Sequence, residues 1–199
     1  MAKVMTRTST RWRVAIVDDH VPSRADVRAA VLAAGGEVVG EASRSGDALA
    51  LVNSARPDVA ICAVGLPDGD GVSAAAAVTS TTGCPVVLFT SHTRDDLLAR
   101  AQAGGVMAYL LKPLRAAELA PTLDLAVARF AETRQLRQTL EERKVIERAK
   151  GRIMERLNLT EDDAFRRLRR AAMNSRRPMV EIARALLVSE SVTEDLPRI

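Results

Sequence analysis

Four residues of this 199-residue chain are of the types that hold a phosphoryl group beside a divalent cation: Asp18, Asp19, Thr90 and Lys112. Carboxylates suit Mg²⁺, which takes oxygen ligands and keeps several waters. A hydroxyl and an ammonium suit a phosphoryl group next to that metal. Each residue alone is ordinary, because an Asp after an apolar run is commonly a turn or cap. Their placement is informative. Val14-Ala15-Ile16-Val17 runs into Asp18-Asp19, Pro85-Val86-Val87-Leu88-Phe89 into Thr90-Ser91, and residues 107–111 into Lys112-Pro113.

These runs belong to a longer alternation. Short apolar segments at 14–17, 38–42, 59–64, 85–89 and 107–111 are predicted strands. Helical spacing at 25–33, 46–55, 72–79 and 95–103 lies between them. Gly35-Gly36, Pro57 and Gly104-Gly105 end three of those helices, and Pro67-Asp68-Gly69-Asp70-Gly71 is a turn cluster. Five β units, each followed by a helix, require parallel strands joined by crossovers. The expected fold class is therefore α/β doubly wound, a flavodoxin-like five-stranded parallel sheet. A long helix and an all-α three-helix domain follow it. In such a sheet, ligand groups gather at the carboxyl ends of the strands, where the four residues stand.

Composition sets the class. Hydrophobic residues make up 47% and charged residues 27%, a globular balance, and aromatics only 3%. The core must come from Ala, Val, Leu and Ile. No apolar run reaches the roughly 18 residues of a membrane helix. Residues 1–13 are basic without a following apolar stretch, so no secretory signal is expected and the cytoplasm is the expected location. Cys62 and Cys84 make neither a disulfide framework nor a zinc site and read as core thiols. His20 and His92 read as solvated loop residues, and Trp12 as packing.

At the residues just described, the chain resembles a two-component response-regulator receiver domain. The match spans about residues 12–130, with the domain itself placed at 12–118. The resemblance implies a switch pair, Thr90 and Tyr109, a phosphate-binding Lys112, and an acidic metal pocket at Asp18 and Asp19. In that family the phosphoacceptor is an Asp at the end of strand three, before a Pro-containing turn. Here that position is Ala63. A methyl group neither accepts phosphate nor ligates a metal. Asp58 is roughly 16 Å away at ~3.3 Å per residue; Asp68 and Asp70 would have to fold back. Any Mg²⁺ is expected to bind weakly. Two explanations fit: a natural pseudo-receiver governed by a protein partner, or a receiver whose Asp has been replaced. The resemblance otherwise implies a sensor histidine kinase as partner.

Charge divides the chain. Residues 1–120 balance 12 basic against 12 acidic side chains, whereas residues 141–184 carry 13 against 8, a net of +5. A neutral module followed by a basic one suggests that the second faces an anion. Residues 119–137 read as a helical connector. Leu119, Leu123, Ala126 and Phe130 are spaced like a coiled-coil seam, and packing on the chain's own first domain explains the same spacing. Thr160, followed by Glu161, Asp162 and Asp163, reads as a helix N-cap with acids in the first turn. Ala164, Phe165, Leu168, Ala171 and Ala172 form the predicted apolar face, and a last helix starts near Pro178.

Glu147-Arg148-Ala149-Lys150-Gly151-Arg152, then Thr160 to Phe165, then Ala171-Ala172, resemble the ANTAR domain, the output module of transcription antitermination regulators. The domain is placed at 138–190. The whole chain resembles the receiver–ANTAR regulators typical of actinobacteria. The resemblance implies a homodimer that binds a pair of small stem-loop RNAs and so prevents a terminator hairpin. The expected RNA-binding residues are Arg148, Ala149, Lys150, Gly151, Arg152, Arg169, Arg170 and Arg176. Lys150 is expected as an exposed phosphate contact. Gly151 opens room for an RNA backbone or, equally, for close helix packing. Phe165 is the one candidate for stacking a base and is assigned to the core. The alternatives are a DNA-binding response regulator and a partner-controlled signalling protein. No enzyme activity, membrane association or catalytic residue is expected.

Overall fold

A computed structural model describes residues 11–91 and 95–194. His92 and residues 1–10, on which two of the readings above fall, lie outside the described residues. The chain divides into two compact units, one ending at Glu132 and the other starting at Thr133.

In the first unit, β1 (Arg13–Val17), β2 (Glu37–Ala42), β3 (Val59–Ala63), β4 (Val86–Thr90) and β5 (Ala108–Leu111) form one parallel sheet in the order β2-β1-β3-β4-β5. The helices are α1 (Val21–Ala33), α2 (Ala48–Ala55), α3 (Gly71–Thr82), α4 (Asp95–Ala103) and the start of α5 (Ala116–Leu157). Apart from Arg13 and Thr90 at their ends, the inner strands are apolar because both faces are covered. With a period of two, Val14, Ile16, Val59, Ile61, Val87 and Phe89 pack in one core with Val27 and Val31 of α1. Ala15, Val17, Ala60, Cys62 and Leu88 pack in the other with Val52 of α2 and Val72, Ala75 and Val78 of α3. The segment predicted as one helix at 46–55 starts as a 3₁₀ turn, Ser45–Asp47, before α2.

The proposed seam is resolved here. Leu119, Leu123 and Ala126 are fully buried in the first of these cores. They serve their own domain, so a connector beginning at 119 starts too early. Trp12 is buried, and its Nε1 donates to Asp124 on α5 at 3.1 Å.

The second unit contains the later part of α5, α6 (Glu161–Ser175) and α7 (Met179–Glu194). Its fully buried core is short and mixes three alanines with two larger aliphatic residues: Ala149, Ile153, Ala164, Leu168 and Ala183. Asn158 takes a left-handed conformation, φ 50°, between α5 and α6, and Arg176, φ 52°, closes α6. Thr160 is the N-cap of α6: its hydroxyl accepts from the Asp163 N–H at 3.3 Å. The expected apolar face needs correction. Ala164, Leu168 and Ala172 are buried, but Ala171 is exposed and Phe165 keeps 38% of its surface in solvent. Both lie to the side of the stripe that period 3.6 directs inward. Among the described residues, no helix is long and apolar enough to cross a membrane.

Candidate functional site

The acidic pocket forms where β1, β3, β4 and β5 end. Val17 pairs with Cys62 across β1 and β3, so one residue further on Asp18 comes level with Ala63. Asp18 is buried. One carboxylate oxygen accepts from the Lys112 ammonium at 2.7 Å, and the other accepts from the His20 backbone N–H at 2.9 Å. The Arg24 guanidinium donates to the Asp18 carbonyl. Asp19 is exposed. His20 is no idle loop residue: its ring Nδ1 caps α1 by accepting from the Ser23 N–H at 3.2 Å. Thr90 is buried and pairs with Leu111 in the ladder, and its carbonyl accepts from the Lys112 N–H at 2.8 Å. Lys112 also lies 4.8 Å from the Phe89 ring centroid. Tyr109 on β5 is 47% exposed.

Ala63 is buried at the end of β3. A side chain at Gly71 would sit 1.8 Å from the Ala63 carbonyl oxygen, so only glycine fits where the turn returns to the strand. The acids that might replace a carboxylate at 63 are engaged elsewhere. Asp68 accepts from the Ser45 and Gly46 N–H groups at 2.7 and 3.0 Å, and these bonds hold its carboxyl down at about 2. Asp70 caps α3 through the Val72 and Ser73 N–H groups and pairs with Arg100. Asp58 accepts from the Arg13 N–H, at the start of β1. Nor does Cys62 offer a nucleophile. Burial, and then the Asp18 and Asp70 charges, push its thiol up to about 12, so it stays protonated at neutral pH.

At this end of the sheet the pocket brings together a buried carboxylate, a hydroxyl and an ammonium, and a methyl stands at the end of β3. Among the described residues, no three His, Cys, Asp or Glu side chains are placed to hold a metal ion. Asp18 already commits one oxygen to Lys112, and position 63 offers a methyl.

The second unit alters the expected RNA-facing set. Ala149 is fully buried in the small core and is not available as a contact. Lys150 is not exposed either: only 7% of its surface meets solvent. Its ammonium bonds Glu147 one turn back on α5 at 2.8 Å and Glu161 at the start of α6 at 2.7 Å. These bonds raise the Lys150 pKa and lower that of Glu161. Lys150 ties two helices together. Gly151 is half-buried, and among the described residues a Cβ there would meet nothing within 4 Å, so no helix of this chain packs closely on it. Arg148, Arg152, Arg166, Arg167, Arg169, Arg170, Arg176 and Arg177 are exposed. Arg166 pairs with Asp163, and Arg152 lies 3.6 Å from Glu155.

Lys150→Ala is therefore expected to loosen the second unit, at a cost of about 1–2 kcal/mol from the missing buried stem and helix tie. Urea unfolding followed by circular dichroism checks this; an unchanged midpoint at pH 7 would contradict it. The sign with pH follows from the shifts. Glu161, lowered from 4.5, contributes above that value and ceases to as pH falls through its folded pKa. Lys150, raised from 10.5, contributes up to that value and is lost only at higher pH. The mutant's deficit should be constant from about pH 5 to 10 and shrink in acid.

Residues 14–124 match the response regulator receiver domain, and residues 134–187 match the ANTAR domain. The transcriptional regulatory protein PdtaR of Mycobacterium tuberculosis is 37% identical over 190 residues, covering 92% of this chain and 93% of that protein. The DNA-binding transcriptional activator DevR/DosR of the same organism is 37% identical, but over 111 residues that cover 54% of this chain and 51% of that protein. Among solved structures, the receiver domain of the putative response regulator NarL from M. tuberculosis aligns with a TM-score of 0.53 at 36% identity, covering 58% of this chain and 95% of that one. A receiver match over more than half the chain, an adjoining ANTAR match and a full-length relative agree, and the chain belongs to the response regulators that join a receiver domain to an ANTAR domain.

Proposed function

We propose that this protein binds stem-loop RNA through its second unit to control transcription antitermination, and that it does so without phosphorylation of its receiver at position 63. The observation that carries the reading is the outer face of α6. Within the ANTAR-matched segment, Arg166, Arg169 and Arg170 are exposed on a helix whose opposite side, Ala164, Leu168 and Ala172, is buried. Arg176 and Arg177, exposed just past the end of α6, add two further guanidinium groups. Guanidinium groups suit bidentate phosphate contact and base stacking. Arg148 and Arg152 on α5 are further candidates, and Gly151 leaves room beside them. Lys150 supports the surface from below.

In the receiver, Lys112 already neutralises Asp18, and a methyl stands where the acceptor would be. Control then comes from a protein partner or from RNA itself, with a homodimer as the active form and at most weak Mg²⁺ binding. DNA is the second reading, because a relative over part of the chain is a DNA-binding activator.

Anisotropy titrations of the full-length protein with a labelled stem-loop pair and with a DNA duplex separate the two. The expected result is preferential RNA binding, falling steeply between about 50 and 200 mM salt as counterion release loses its drive. Equal or tighter binding to the duplex would overturn the assignment.

A further inference from the structure

Building on the RNA-binding reading above, we infer that Phe165 is a stacking platform for an unpaired base in the loop of the bound stem-loop. It is the only aromatic residue between Thr133 and Ile199. Its neighbours Ala164 and Leu168 are buried in the core of the second unit, while Phe165 stands outside that core and 38% exposed.

An exposed apolar side chain is ordinary in itself; the support beneath this one is not. The Lys150 ammonium lies 5.9 Å from the ring centroid, within cation–π range. Two ion pairs hold that ammonium in place, to Glu147 and Glu161. The ring therefore rests against a fixed cation. Along α6, Glu161 and Asp162 fall one turn before Phe165, and Arg169 falls one turn after it. Acids on one side disfavour a phosphate over the ring, and a guanidinium on the other draws the backbone alongside. An uncharged π-face is the part of RNA that fits between them. Loop bases are unstacked and are commonly held this way, whereas paired bases in an A-form stem are not accessible. Stacking accepts any base, because every base has a π-face.

The test uses the full-length protein and stem-loop RNAs carrying 2-aminopurine at successive loop positions. Binding should quench the fluorophore at one of them. Phe165→Leu should abolish the quenching and weaken binding about 5- to 150-fold. The salt dependence should stay unchanged, because every phosphate partner is still in place. Phe165→Tyr should retain both quenching and affinity, which separates stacking from a packing defect. Tight binding by the unaltered protein without quenching at any loop position overturns the inference and leaves RNA binding standing, as does a Phe165→Leu protein that binds and quenches like the original. Failure of the unaltered protein to bind any stem-loop overturns the RNA reading and this inference with it.

Discussion

Ala63→Asp should convert a receiver that takes no phosphate from acetyl phosphate into one that takes it stoichiometrically. The substitution places a carboxylate at the end of β3, level with Asp18 and on the sheet edge shared with Thr90 and Lys112. The remaining parts are already held: Asp18 by Lys112 and the His20 N–H, Thr90 by its place in the ladder. The added carboxylate would give Mg²⁺ a further oxygen ligand beside the waters it keeps, and Lys112 would then be shared with the incoming phosphoryl group. Intact-mass spectrometry with and without the phosphodonor reads the outcome. A phosphate adduct on an aspartate of the unaltered protein, or none on the Ala63→Asp protein, would refute this account of the pocket.

The second large effect lies on α6. Replacing Arg169 and Arg170 together by Glu should lower stem-loop affinity at least about a hundredfold. The change removes two phosphate partners and adds two repelling charges. It should also flatten the salt dependence, by roughly 0.7–0.9 of a log unit per log salt for each phosphate left without its guanidinium. Both positions are exposed, and the buried stripe of Ala164, Leu168 and Ala172 is untouched, so helicity should survive. A folded double variant with undiminished affinity would move the RNA to another surface.

Much of the fold is legible in the residues because its inner strands are buried on both sides. Runs such as Val59-Ala60-Ile61-Cys62-Ala63 leave little choice of element, and Thr160 with its three following acids announces a helix start. The spacing of Leu119, Leu123 and Ala126 suits a partner helix or a sheet equally well, and only tertiary packing decides for the sheet. The site is harder to read for a physical reason. A lysine in a basic segment reads as solvated, yet Lys150 is covered because Glu161, eleven residues on, returns to it across the α5–α6 turn. Glu147 one turn before Lys150 and an acid beside the N-cap are the available signals. Phe165 misleads in the opposite sense: an aromatic next to Ala164 reads as core, but on that stretch of helix the period of 3.6 directs Ala164 and Leu168 inward and leaves Phe165 at the side of the stripe. Asp68 and Asp70 are rightly suspect as substitutes for the acceptor. Their caps and backbone partners explain why they do not fold back.

The most direct measurement is the stem-loop RNA affinity of one preparation of the full-length protein, before and after acetyl phosphate with Mg²⁺. With a methyl at the end of β3 and the guanidinium side chains of α6 exposed, the affinity should be measurable at once and identical in the two states. Binding that appears only after the phosphodonor, or in neither state, would contradict an RNA-binding regulator that works without phosphorylation at position 63.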